Sequence, residues 1–502
     1  MSKLDNLHNP ETQDTSYDHV LRYTSVFGGV QGLKMAMAVL RNKVTSVLLS
    51  SVGMGLMSVY SSISEFIVSS CNFGLPLNAT RITGELFEEG TAEQIRHSVN
   101  LMRTCTAWSA VLATLLCTLF SPLLSYMFFD HDWRHFPEVM LLIPVIVCYL
   151  VAECECSILK GLRQIRTVAV IESVTAVLTI FLTIPFYLAW GIKGVVMGLI
   201  ACGLASVVAH FYFSLQLVQY RIMPFNKSVL HEGIPIIRKG IPYVLAGIAN
   251  SLVAMAIPAI MLQTESLEQV GFYRAGYALM VGYTGMAFVA LEADYFPRLS
   301  SVCHDRDRMN ATMNQQIDVC VMLLTPILIL IVLFMPWIIL LLHTEEFLVV
   351  NGMATIAVFY AFFRCIYLPA GYITLAKGDS LLFFCMEVLF DVIFVAMVWV
   401  LYRAFGLTGI GIALSLGALY DVVCALTVYG FKYGCRVRRS TWRLCLIQFA
   451  LLCLAACCAY VAGSSITLNR LAIGIPIFTL SLAFSLRMLS DKSKFLKRIF
   501  KR

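Results

Sequence analysis

Gly191-Ile192-Lys193-Gly194 returns as Gly406-Leu407-Thr408-Gly409 after 215 residues, and it is one of three such matches in the same order. Lys160-Gly161 returns as Lys377-Gly378 after 217 residues, and Val52-Gly53 as Val270-Gly271 after 218. A single glycine pair means little in a chain with 31 glycines, whereas collinear pairs at a nearly constant offset mark two homologous halves.

Composition says where those halves reside. The 502 residues are 59% hydrophobic and 13% charged, with a mean hydropathy of +0.80. A soluble domain carries about a quarter charged residues, so this is a polytopic membrane protein. Apolar stretches able to cross a hydrocarbon core about 30 Å thick fall at 24–50, 54–80, 99–128, 137–159, 168–189, 192–217, 240–263, 268–293, 313–343, 347–375, 379–402, 406–430, 441–463 and 468–489. The expected fold is all-α and integral to the membrane, with about fourteen transmembrane helices: two six-helix repeats plus two C-terminal helices. An even number of helices per repeat makes the repeats parallel, with any site expected between them. The organisation read from this pattern is a cytosolic tail 1–22, an N-lobe 23–220, a cytosolic linker 221–238, a C-lobe 239–432, two extra helices 433–489 and a basic tail 490–502.

Lysine and arginine set the orientation. The loops after even-numbered helices hold nineteen of them, Arg103 included, against four (Arg134, Lys193, Arg403 and Arg470) after odd-numbered helices, which places both termini in the cytosol. The C-terminal run Lys492, Lys494, Lys497, Arg498, Lys501 and Arg502 adds to that side and to the net charge of +7, and it suits contact with anionic headgroups. It is not read as a nucleic-acid site, because no folded extramembrane surface is present to carry bases. No Walker A loop occurs, and the 17 cysteines, without a metal-type CxxC array, read as small packing residues. No metal and no cofactor is expected.

Polar groups inside the spans carry the remaining information, since charge there is costly. Ser58, Ser62, Glu65, Ser69 and Asn72 form one stripe of the second helix, expected to face water rather than to glue helices together. Lys34 and Arg41 share a face of the first helix, with Lys43 near its periplasmic end, where snorkelling is the plain alternative. Arg274 stands beside Tyr273 and Tyr277, and Arg364 between Tyr360 and Tyr367. At about 1.5 Å per residue, Arg274 is expected about 9 Å and Arg364 about 25 Å from the periplasmic starts of their helices. Among the acids, Glu172 and Glu387 are related by the 215-residue offset, and with Asp391 and Asp421 they are the candidates for ion coupling.

The stretch Lys43-Val44-Thr45-Ser46-Val47-Leu48-Leu49-Ser50-Ser51-Val52-Gly53-Met54-Gly55-Leu56, preceded by Tyr23-Thr24-Ser25-Val26-Phe27-Gly28-Gly29-Val30-Gln31-Gly32, resembles the start of bacterial lipid-linked oligosaccharide flippases of the Wzx type. It departs at Ser50-Ser51, where that family has Gly-Pro. The resemblance implies the multidrug/oligosaccharidyl-lipid/polysaccharide (MOP) exporter fold, with MATE-like lobes in the bacterial inner membrane. It implies alternating-access movement of undecaprenyl-diphosphate-linked repeat units from the cytosolic to the periplasmic leaflet, for cell-surface polysaccharide such as the O-antigen of lipopolysaccharide. Partners implied are the lipid-linked glycan, membrane lipids, proton or sodium as coupling ion, and a polysaccharide polymerase and glycosyltransferases. On this reading Lys34, Arg41, Lys43, Glu65, Arg274, Arg364, Tyr277 and Tyr360 line the substrate path, and the protein is not an enzyme. A MATE-type multidrug antiporter, expected to show exposed rather than buried acids, and a membrane polymerase or ligase are the alternatives.

Overall fold

The computed structural model describes residues 17–129, 133, 136–224, 227–263, 266–461 and 468–492. The N-terminal tail to Ser16, the loop histidines His131 and His135 and the basic run from Lys494 lie outside the described residues. The fold is all-α, and eleven helical stretches among the described residues are long and apolar enough to cross a membrane. That number differs from fourteen because bent helices run on as one. Gly32–Cys71 and Arg166–Ser214 are 40 and 49 residues long, and the expected span 268–293 is interrupted by a π-helical turn at Ala278–Gly282.

The chain divides into two compact units, Met1–Gly271 and Phe272–Arg502. The first contains α1 (Tyr17–Cys71), α2 (Leu75–Glu89), α3 (Ala92–Phe128), the short α4 (Phe136–Met140), α5 (Ile143–Gly161), α6 (Ile165–Trp190), α7 (Gly194–Ser214) and α8 (Lys227–Leu262), and it ends inside α9 (Leu267–Tyr277). Within it α5 packs on α2, α3 and α7, and α1 packs on α6 and α8. The stretch expected as a linker is non-helical only before α8, which starts at Lys227. The second unit continues with α10 (Tyr283–Val302), α11 (Arg306–Leu333), α12 (Met335–Leu342), α13 (Asn351–Ala376), α14 (Ser380–Phe405), α15 (Leu407–Tyr433), α16 (Arg439–Val461) and α17 (Leu468–Lys492). There α13 packs on α15 and α11, and the two last helices pack on α11. Gln448 of α16 donates to Ser485 at 2.8 Å and accepts from Ser481 at 2.7 Å, so three buried polar side chains satisfy one another between α16 and α17.

The repeated Gly-x-x-Gly has the same local role in each unit. Gly191 (φ 56, ψ −130) closes α6 and Gly406 (φ 56, ψ −141) closes α14, both in a region of backbone space open in practice to glycine alone. A Cβ at either would meet nothing within 4 Å, so the backbone angle and not space demands glycine. Three residues on, a Cβ at Gly194 would strike the carbonyl oxygen of Phe186, and one at Gly409 that of Leu401. Each glycine pair thus turns the chain sharply and lets the next helix lie directly on the last turns of the one before.

A third corner of this kind bends α1, and here the residue is not glycine. Ser50 has φ 55 and ψ −169 inside α1. It stands where the resemblance expects glycine, and a Cβ in this conformation costs on the order of 1–3 kcal/mol. Ser50→Gly is expected to stabilise the protein by about 1 kcal/mol, read as a rise in the thermal unfolding midpoint in detergent. An unchanged or lower midpoint would show that the corner is not strained.

Candidate transport site

The first unit carries an open cavity of about 760 Å³. Its charged lining comes from three helices: Glu65 from α1, Glu153 and Lys160 from α5, and Glu172 from α6, while α7 contributes His210. Tyr149 and Tyr243 supply aromatic wall. Lys34 reaches this region by an ion pair to Glu172, Nζ to Oε2 3.0 Å, that ties α1 to α6. Glu172, expected as an ion-coupling candidate, is therefore also the counter-charge of Lys34.

The serine stripe divides. Ser62 donates to the carbonyl of Ala254 on α8 at 3.2 Å, Asn72 accepts from the Gly74 amide at 3.0 Å, and Ser58 is buried. The face that reaches the cavity is Ser61, Glu65 and Val68, one residue round the helix. Of the expected stripe only Glu65 lines it. Ser61→Cys and Glu65→Cys are therefore expected to react with a small membrane-impermeant thiol reagent, and Ser62→Cys and Asn72→Cys to stay at least about tenfold slower. Equal rates at positions 61 and 62 would refute this placement.

Arg41 is half-buried, with its Nε buried and without a hydrogen-bond partner. Lys43 is also half-buried, and its carbonyl accepts from Ser46.

Arg103, counted above among loop cations, lies instead well inside α3 and is 2% exposed. α3 begins at Ala92, seven residues before the hydropathy boundary. Its guanidinium makes a bidentate pair with Glu155 of α5, Nε to Oε1 2.7 Å and Nη2 to Oε2 3.0 Å. It also donates to Ser214 Oγ at 2.8 Å and to the carbonyls of Val218 and Gln219 at 3.3 and 3.1 Å. Its face covers the Tyr220 ring at 4.9 Å. This one side chain gathers α3, α5, the end of α7 and the segment leading to α8.

In the second unit Arg364 stands over the Tyr360 ring, 5.6 Å from its centroid, and closes no ion pair among the described residues. Glu387 and Asp421 act on it electrostatically. Tyr367 donates to Glu387 at 2.8 Å, Asp421 is buried, and Asp391 is half-buried one turn from Glu387 on α14. Arg274 and Tyr277 are half-buried on α9, where Tyr273 and Tyr277 pack ring to ring at 5.6 Å. The side chains of Glu292 and Asp294 lie outside the described residues.

Beyond the membrane, Asp379 between α13 and α14 receives Lys432 at 2.5 Å and Tyr433 at 2.6 Å, and these donors hold its carboxyl down at about 2. Sequence reading missed three elements: the Arg103–Glu155 pair, the Tyr60–Glu138 hydrogen bond of 3.0 Å and His210. For His210 the signal was present, as a lone imidazole inside an apolar helix.

The acids divide, with Glu65 and Glu153 lining the cavity outside any ion pair among the described residues. Glu172, Glu387 and Glu155 are each partnered, while Glu65 is exposed to the cavity.

No curated protein sequence matches the chain. Among solved structures, the lipid II flippase MurJ in its inward closed conformation aligns at 11% identity with a TM-score of 0.69, over 93% of this chain and 99% of that one. An inward-facing multidrug resistance MATE family transporter of the MOP superfamily aligns at 14% identity with a TM-score of 0.60, over 79% and 98%. The MATE multidrug transporter DinF-BH aligns at 16% identity with a TM-score of 0.60, over 84% and 98%. These likenesses establish a shared fold. A family model described as polysaccharide biosynthesis protein matches residues 20–303. That is more than half of the 502 residues, and the chain belongs to the polysaccharide biosynthesis protein family.

Proposed function

We propose that the protein is a flippase that carries undecaprenyl-diphosphate-linked oligosaccharide from the cytosolic to the periplasmic leaflet of a bacterial inner membrane, by alternating access, with both termini in the cytosol. The observation that carries this reading is the cavity of about 760 Å³ lined by carboxylates, the Lys160 amine and tyrosines within a membrane-embedded helical unit. Its size lies in the range of about 300–1,000 Å³ typical of small-molecule sites. A glycan cannot enter hydrocarbon with its hydroxyls unsatisfied, so its passage must supply hydrogen-bond partners. Carboxylates such as Glu65 and Glu153 accept from sugar hydroxyls, and tyrosine rings pack on sugar faces.

The diphosphate is assigned to cations. Arg364, held by an aromatic ring and free of an ion pair among the described residues, offers a planar fork to phosphate oxygens. Arg274, Lys34, Arg41 and Lys43 are the further contacts along the path, with Tyr277 and Tyr360 beside the arginines. Glu172, Glu387, Asp391 and Asp421 remain the acids proposed for ion coupling. Glu172 and Glu387 are partnered and Asp421 is buried, which supports a glycan-diphosphate cargo over the cationic drugs of an antiporter. Deletion of the gene is expected to trap lipid-linked repeat units in the cytosolic leaflet, measured by extraction and leaflet-specific labelling. Deletion without such accumulation would refute the cargo assigned.

A further inference from the structure

His210 is 6% exposed, yet it lines the cavity of the first unit. Its Nδ1 lies 2.8 Å from the backbone carbonyl of Ser206. A carbonyl only accepts, so Nδ1 carries a proton, and in the neutral ring the lone pair is on Nε2. That Nε2 is buried and has no hydrogen-bond partner. A buried polar atom left unpaired is destabilising. Its lone pair is available to a proton.

The groups around it bear on that proton. From α5 come Glu153, Glu155, Cys156 and Lys160; from α6, Glu172; from α1, Lys34, Arg41 and Glu65. Glu155 is already neutralised by Arg103, and Lys193, in the turn before α7, is about 25 Å away along the helix. Glu172 is held by Lys34, which leaves Glu65 and Glu153 as the cavity acids outside any ion pair among the described residues, beside an unpartnered imidazole lone pair.

We infer that His210 Nε2 is a proton-binding site in this cavity, and that its occupation loosens the Lys34–Glu172 pair and with it the hold of α1 on α6. A proton from water forms one N–H bond at Nε2 and gives an imidazolium, while Nδ1–H stays on the Ser206 carbonyl; release returns the same proton to the cavity water. The added positive charge competes with Lys34 for the Glu172 carboxylate. The inference rests on reading the chain as an alternating-access exporter, and it names the proton as the ion that biases one of its helix contacts.

The test is a distance between spin labels on the full chain in nanodiscs, with reactive native cysteines replaced. Gly32→Cys, where a Cβ meets nothing within 4 Å, reports α1 two residues from Lys34. Val174→Cys, 46% exposed on α6, reports the other side. Lowering the pH from about 8 to about 5 is expected to shift the distance distribution reversibly. His210→Gln is expected to abolish that response, and Glu172→Gln to hold the low-pH distribution at every pH. A wild type that does not respond, or a His210→Gln variant that responds as the wild type does, would overturn the inference. So would a shift driven by sodium at constant pH, which would make the site one for a metal cation. The measurement needs no glycan, so its failure leaves the proposed cargo standing.

Discussion

Arg103→Ala is expected to cost about 3–5 kcal/mol, the largest single-residue loss of stability in this protein, because it leaves the Glu155 carboxylate buried without its counter-charge. The substitution also frees the carbonyls of Val218 and Gln219, which the same guanidinium satisfies, and leaves the Ser214 hydroxyl with its hydrogen bond to Glu155 alone. Arg103→Lys keeps the charge but loses the fork, so it is expected to recover only part of the loss. The joint change Arg103→Met with Glu155→Leu is expected to be milder than Arg103→Ala, since no charge remains buried alone. Thermal unfolding in detergent and the fraction of monodisperse protein measure all three. A midpoint for Arg103→Ala within a degree or two of the wild type would show that water reaches this site.

Arg364→Gln is expected to reduce glycan export by about 100-fold or more, since two charge-assisted hydrogen bonds of about 1.5–3 kcal/mol each are lost from the diphosphate. Protein level in the membrane is expected to stay unchanged, and Arg364→Lys to retain partial activity because a point charge remains. The competing role is structural, as a counter-charge for Glu387 and Asp421, which lie within electrostatic reach. That role predicts loss of stability with Gln and export at the wild-type rate from whatever protein folds.

The architecture was legible wherever it depends on backbone angles that few residues tolerate. Gly191 and Gly406 stand at equivalent positions in the sequence and adopt φ 56 alike, so the repeat reported a corner that the chain builds twice. Ser50 was flagged as a departure from glycine, and it occupies a corner of the same kind. Helix ends were read less well, because hydropathy marks where the apolar run begins and not where the helix does. α3 starts at Ala92 with Thr91 capping it, so Arg103, which sits inside the apolar run 99–128 yet was counted with the loop cations, lies about three turns into the helix and in a buried network.

Pairings were not legible at all. Lys34 and Glu172 are 138 residues apart and Arg103 and Glu155 are 52 apart, and nothing local in either segment specifies its partner. The stripe on α1 shows the same limit at smaller scale. Helical periodicity found a polar face, but the face toward the cavity passes through Ser61 and not Ser62, a rotation of about 100° that only packing against α8 decides.

The most direct test of the central claim is transport by the purified protein in liposomes that carry undecaprenyl-diphosphate-linked oligosaccharide, read by the access of a membrane-impermeant glycosidase to the glycan. Liposomes with wild-type protein are expected to give up glycan from the inner leaflet as well as the outer, while empty liposomes and those with Arg364→Gln give up the outer-leaflet pool alone. If the wild-type protein leaves the inner pool untouched and instead moves a cationic dye against a proton gradient, the protein is a multidrug antiporter and the flippase account is contradicted.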